Sequence, residues 1–224
     1  MSHAIRAFRR PAAANAALDA ALAPAEKSGM ITAATQKIAE LFDILQIDHR
    51  HDQNTRDTPR RVARMYVEEL LAGRFDEPPA ITAFDNDLQY DGLIVTGPIA
   101  LRSVCAHHLM PIYGCAIIGV LPAADGKIIG LSKYDRIVEH FSARFQIQEE
   151  LVRQIGDFIV QRTAPRGLSV RISAVHMCKT HRGVLASHQS RMVTTVHYGA
   201  MQTDTAARAE FLQECASLDH GATP

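Results

Sequence analysis

Gly167-Leu168-Ser169-Val170-Arg171-Ile172-Ser173-Ala174-Val175-His176-Met177-Cys178 is the stretch on which the fold class turns. Leu168, Val170, Ile172 and Ala174 alternate with Ser169, Arg171 and Ser173, the period-two pattern of a strand with one face in a core and one in water. Carried two residues further, the same alternation places His176 and Cys178 on one side of the chain.

Outward from this strand, the elements alternate in kind. Upstream, Leu93 to Val95 and Ile99 to Val104 read as strand broken at Gly97-Pro98, and Tyr113 to Leu121 reads as a second extended run. Lys127 to Leu131 leads into Ser132, read as a helix N-cap. Ile137, Val138 and Phe141 form one helical face, and Leu151, Ile155, Phe158 and Ile159 form another. Pro165-Arg166-Gly167 turns the chain into the quoted strand. Met192 to Tyr198 is a last extended run, and Ala206 to Ala216 closes as a helix. The order predicts an α+β fold, an antiparallel sheet with two helices on one face.

Before these elements the chain is helical. Ile38, Leu41, Phe42 and Leu45 place a helix over Thr32 to Ile47, and Thr58-Pro59 opens another that turns Val62, Met65, Tyr66 and Leu70 inward and stops at Gly73. Residues 32–78 are therefore expected as a helical region and 79–224 as the main domain, with the boundary near Pro78-Pro79. Residues 1–31 carry Arg6, Arg9 and Arg10 and an alanine-rich stretch without a continuous apolar segment, so they read as a flexible extension. A transit peptide, Arg-rich with only Asp19 and Glu26 acidic, is the alternative.

Composition narrows the function. The 224 residues hold 24 Lys+Arg against 24 Asp+Glu, and 47% are hydrophobic, a balance that buries a core and excludes a disordered chain. Zero net charge removes a chain-wide field for nucleic acid, and no run reaches the ~18 apolar residues of a membrane helix. Neither nucleic acid nor membrane is an expected partner. Four cysteines are too few for a disulfide scaffold, and the expected setting is a reducing cytoplasm in which thiols bind metals.

Cys105-Ala106-His107-His108 supplies a thiolate and an imidazole three residues apart at a strand end. With Cys178 they make a Cys₂His set whose softness suits zinc, leaving one tetrahedral position for water. A structural ion would take a fourth protein ligand, for which His107 and His176 are both available; spacing does not separate the two. The cysteines also fit as small buried residues beside a polar loop.

Gly130-Leu131-Ser132-Lys133-Tyr134-Asp135-Arg136 sets Lys133 and Arg136 at a helix start, where N–H groups and the dipole favour an anion. Lys179, His181 and Arg182 form a second cationic cluster after Cys178. Two basic clusters around a metal suit a phosphorylated substrate; an ordinary helix start with solvated charges is the plainer reading. Gln148-Glu149-Glu150 opens the next helix, either as dipole complement or as a carboxylate that accepts two N–H groups from a purine edge.

These motifs together resemble the GTP cyclohydrolase I family. The resemblance rests on Thr58 to Tyr66, Cys105-Ala106-His107-His108, Gly130-Leu131-Ser132-Lys133, Arg136-Ile137-Val138, Gln146-Ile147-Gln148-Glu149, and Val175-His176-Met177-Cys178 with Arg182-Gly183. It spans about residues 32 to 215. The resemblance implies a tunnelling fold whose barrel closes on assembly, as a homodecamer of two face-to-face pentamers with sites at subunit interfaces.

The implied reaction takes GTP and water to 7,8-dihydroneopterin triphosphate and formate, the first step of pterin and folate biosynthesis, with zinc as cofactor. By resemblance, Cys105, His108 and Cys178 would hold zinc. His176 would protonate the imidazole-ring nitrogen of guanine, and His107 would shuttle protons in ring opening and formate release. Ser132 would assist ribose opening, and Gln148 would position the ribose or an intermediate. Glu149 would read the guanine edge. Lys133, Arg136 and Arg182 would grip the triphosphate, with Arg61 and Arg64 as further candidates. Allosteric regulation is a further expectation.

Two departures stand out. Ala106 occupies the position of a family glutamate, and losing a carboxylate that orients a neighbour commonly costs about 10–100-fold. Val184 to Tyr198 is less similar, with Arg191 and His197 where the family is rich in Thr and Ser. The alternatives are a non-catalytic zinc-containing nucleotide sensor or structural homologue, and a variant that stops at the ring-opened formylamino intermediate.

Overall fold

The computed structural model describes residues 12–221, and the chain divides into two compact units between Glu77 and Pro78. The first unit begins with helix α1 (Pro24–Ile44). This helix starts a full turn or more ahead of the Thr32 expected from periodicity. Proline sits in its first turn, and Glu26 accepts a hydrogen bond from the Ala23 N–H at 2.8 Å, so the local start signal overrides the apolar stripe. Of the expected extension, residues 1–11 lie outside the described residues. Residues 12–31 carry the start of this helix and, before it, a segment to which the Arg74 guanidinium donates at the Ala12, Ala13 and Ala16 carbonyls.

Helix α2 (Thr58–Arg64) continues as a π-helical segment (Met65–Leu70) and then α3 (Ala72–Phe75). Asp57 stands at the N-cap, with Pro59 in the first turn. The buried hydrophobic side chains are Ala63, Val67, Leu71 and Phe75, each four apart, while the expected Val62, Met65, Tyr66 and Leu70 are only partly covered. The wider i→i+5 turn stretches the period beyond 3.6 and rotates the inward face.

The second unit holds β1 (Ala83–Asp85), β2 (Ile94–Cys105), β3 (Pro111–Leu121), β4 (Lys127–Ile129), α4 (Leu131–Ser142), β5 (Phe145–Gln146), α5 (Gln148–Thr163), β6 (Gly167–His176), α6 (Met177–Thr180), β7 (Arg191–Gly199), α7 (Ala200–Thr203) and α8 (Thr205–Gly221). The main sheet runs β5-β2-β3-β6-β7, antiparallel except for the short β5, which pairs parallel with β2; β1 and β4 form a separate two-stranded sheet. The architecture is α+β, with α4 and α5 on one sheet face. Where a break was expected at Gly97-Pro98, β2 is one strand whose register against β3 shifts between Thr96 and Ile99. The α4 N-cap is Gly130, so Ser132 lies inside the helix and does not cap it.

One finding overturns the half-buried reading of β6. Ser169 and Ser173 are as buried as Leu168 and Ile172. The main core, including Ile137, Val138, Ile155 and Ile159, covers one face of the sheet. A second cluster, Ile117, Leu121, Met201, Phe211 and Cys215, brings α7 and α8 against the other. A Cβ on Gly119 would meet the Phe211 ring at 2.5 Å, so the glycine makes room for that ring. Ser169 is affordable there because its hydroxyl meets His197 Nδ1 on the neighbouring strand at 2.7 Å.

Candidate metal centre

The chain leaves β2 at Cys105 and reverses in a tight turn. The Cys105 N–H donates to the Met110 carbonyl at 2.8 Å, and the Leu109 N–H donates to the Cys105 carbonyl at 2.9 Å. Leu109 takes a left-handed conformation, φ 53°, a strained choice for a branched side chain that the two hydrogen bonds hold in place. The Ala106 N–H donates to the Gln146 carbonyl at 3.0 Å, tying the turn to β5.

The second half of the centre arrives differently from the expectation. The β6 alternation stops at His176, and Met177–Thr180 closes a helical turn, with the His181 N–H donating to the Met177 carbonyl. Cys178 therefore reaches Cys105 from a helical turn and does not share a strand face with His176. Its sulfur, the Cys105 sulfur and a His108 ring nitrogen all lie within 4.8 Å of one another. Among the described residues this is the only group of three or more metal-ligating side chains so gathered. Neither His107 nor His176 joins it as a fourth donor.

His107 Nδ1 lies 3.8 Å from the Cys105 sulfur, beside the donor set. His176 Nε2 is 2.7 Å from Gln148 Oε1. Burial pushes the pKa of the His176 ring down, Glu149 pulls it back up, and Lys179 adds to the lowering. Burial and the neighbouring Cys105 push the Cys178 thiol up, while the Arg182 guanidinium opposes them. Glu149 thus acts electrostatically on His176 and Arg182 on Cys178, and both are exposed. Lys179 also donates to Ser190 Oγ at 2.9 Å.

The remaining candidates stand apart by what the fold does with them. Ser132 and Arg136 are exposed and Lys133 is half-buried at the start of α4. Arg61 and Arg64 belong to the first unit, on an exposed side of α2, where Arg64 pairs with Glu68 at 2.8 Å and Arg61 faces Asp57 at 3.9 Å. Sequence reasoning did not find Met192 and Thr194, whose main-chain oxygen and hydroxyl hold Gln148. Both lie in or beside the β-branched run Val193 to Val196 of an ordinary strand, which carries no local signal for that role.

Fold and site define an α+β protein that gathers two thiols and one imidazole into a group of the kind that can hold a metal ion. The chain belongs to the GTP cyclohydrolase I family, whose model matches residues 34–216. It is 41% identical over 176 residues to the GTP cyclohydrolase 1 of Shewanella denitrificans, covering 78% of this chain and 79% of that protein. It is 43% identical over 159 residues to the GTP cyclohydrolase 1 of Mycobacterium ulcerans, covering 70% and 77%. A crystal structure of an archaeosine synthase QueF-Like in the apo form aligns with a TM-score of 0.35 at 12% identity, over 55% of this chain and 97% of that one. No helix among the described residues is long and apolar enough to cross a membrane.

Proposed function

We propose that this protein converts GTP and water to 7,8-dihydroneopterin triphosphate and formate, with zinc held by Cys105, His108 and Cys178. The observation that carries the reading is the convergence of those three donor atoms within 4.8 Å in a chain of this family. Two thiolates and an imidazole fit zinc by softness, and three protein ligands leave a tetrahedral position open. When bound, zinc supplies the Lewis acidity that makes water nucleophilic near neutral pH.

The chain's own groups do the rest. Glu149, an exposed carboxylate beside the centre, accepts the ring N–H and amino group of guanine, a pairing that adenine cannot offer. Lys133, Arg136 and Arg182 neutralise the triphosphate. His176 delivers a proton to the imidazole-ring nitrogen at carbon 8, and His107 moves protons as the ring opens and formate leaves. Ser132 assists ribose opening, and Gln148 keeps its place beside His176.

The working enzyme is a homo-oligomer, a decamer of two face-to-face pentamers. The supporting feature is β7, which ends the sheet order with an edge that no described strand covers. A reducing cytoplasm suits the four free cysteines, and the product enters pterin and folate biosynthesis.

Purified zinc-loaded protein incubated with GTP releases formate and develops a pteridine absorbance. No formate overturns the proposal. Formate without the pteridine selects the variant that stops after ring opening.

A further inference from the structure

Gln148 opens α5 yet is only 1% exposed, so its amide has no face toward solvent. Its Nε2 has acceptors on two strands: the Met192 carbonyl at 3.0 Å, Thr194 Oγ1 at 3.1 Å and the Ile172 carbonyl at 3.3 Å. Carbonyl oxygens carry no hydrogen. The NH₂ end of the amide must therefore face β6 and β7, because the flipped amide would set its oxygen against two others. That leaves Oε1 turned to His176, 2.7 Å from Nε2.

An amide oxygen only accepts, so His176 Nε2 carries a hydrogen in each state of the ring. A neutral imidazole has one N–H. Its second nitrogen, Nδ1, is then the only ring atom able to exchange a proton with anything but Gln148. The anchors of the amide are main-chain and hydroxyl groups of paired strands, so the orientation is as rigid as the sheet.

We infer that Gln148 is a positioning residue that acts through His176: it fixes the ring's tautomer and orientation so that Nδ1 is the proton-handling nitrogen, and it does not itself contact the nucleotide. The inference rests on the cyclohydrolase reading for its catalytic consequence, and it replaces the ribose contact implied for Gln148 by resemblance. A contact of that kind needs an amide edge free of the protein, and both edges are taken.

The test is a double-mutant cycle on the zinc-loaded enzyme with GTP, following formate in a single turnover. Gln148→Met is expected to lower the rate about 10–100-fold with KM changed less than about 2-fold, and to have almost no effect in a His176→Ala background. An equal loss in both backgrounds overturns the inference, because it would mean that Gln148 works on the substrate directly. Thr194→Val removes one anchor of the Gln148 amide and leaves both Gln148 and His176 unsubstituted. It should give a smaller loss, about 2–5-fold, that vanishes in the same background, and it keeps the cycle usable if Gln148→Met fails to fold. A crystal structure of either variant supplies a readout independent of turnover: the His176 ring should turn or occupy several orientations. A ring unmoved in both variants overturns the inference. If the wild-type protein releases no formate, the cyclohydrolase reading falls while the crystallographic comparison still decides the role of Gln148.

Discussion

Cys105 and Cys178 hold their sulfurs within 4.8 Å of each other across two different kinds of structure, a strand end and a helical turn. They meet because β3, which pairs with both β2 and β6, brings the ends of those strands together: Val104 lies opposite Pro111, and the neighbouring Ile112 lies opposite His176. The shared strand sets the spacing, and the turn after each strand delivers the thiol.

Zinc retention should follow that geometry. Cys178→Ser is expected to lose bound zinc on gel filtration, whereas Cys115→Ser and Cys215→Ser keep it, as read by metal analysis of the purified proteins. Cys215→Ser should still cost about 1–3 kcal/mol in urea unfolding, because it puts a hydroxyl into the second apolar cluster. Equal zinc in all three variants would refute the ligand set.

Guanine selectivity is expected to rest on an exposed carboxylate. Glu149→Gln turns one acceptor oxygen into a donor facing the guanine N–H groups, so kcat/KM for GTP should fall by about 100-fold or more. The side chain is exposed, so the melting temperature should stay within about 2 °C. A variant with near-normal kcat/KM would remove Glu149 from substrate recognition.

Two glycines predict opposite outcomes for one substitution. A Cβ on Gly114 would lie 2.1 Å from the Ser173 carbonyl oxygen, a backbone atom held in the β3–β6 pairing. Gly114→Ala should destabilise by about 3 kcal/mol or more, or prevent folding. Gly29 sits inside α1 with nothing within 4 Å of its Cβ position. Gly29→Ala should stabilise by about 0.5–1 kcal/mol. Urea midpoints measured on both variants check the pair, and a stable Gly114→Ala protein would contradict the register.

The second core should separate stability from metal binding. Phe211 is fully buried against Gly119, and its cluster is distinct from the core that contains Cys105. Phe211→Ala should cost about 3–5 kcal/mol while the folded fraction keeps its full zinc content. Zinc lost in proportion to stability would show that the two cores act as one.

Much of the fold was legible because its signals are local. The alternation of Leu168 to Ala174 and the helical faces at Ile137 and Ile155 each lie within one element, so period alone identifies them. The covering of the second sheet face was not legible. Phe211 and Cys215 give α8 only a narrow apolar stripe, and whether Ser169 faces water or Phe211's cluster depends on where that helix packs. The inward face of α2 was misread for a related reason, since a π-helical segment changes the period and carries no mark in a single sequence. At the site, the donor types of Cys105, His108 and Cys178 were readable, but the helical turn that aims Cys178 was not.

Residue identity alone determined which chemistry was available: thiols and imidazoles for a soft cation, arginines and lysines for phosphate, a carboxylate for a purine edge. Those are properties of single side chains and short spacings, and no partner is needed to state them. Tertiary structure decided which of them meet, which amide end faces His176 and why a serine is at home beneath α8. Each of these depends on cross-strand register and on packing between residues far apart in the chain, where the cost of an unpaired buried polar group selects one arrangement from several that the local signals allow.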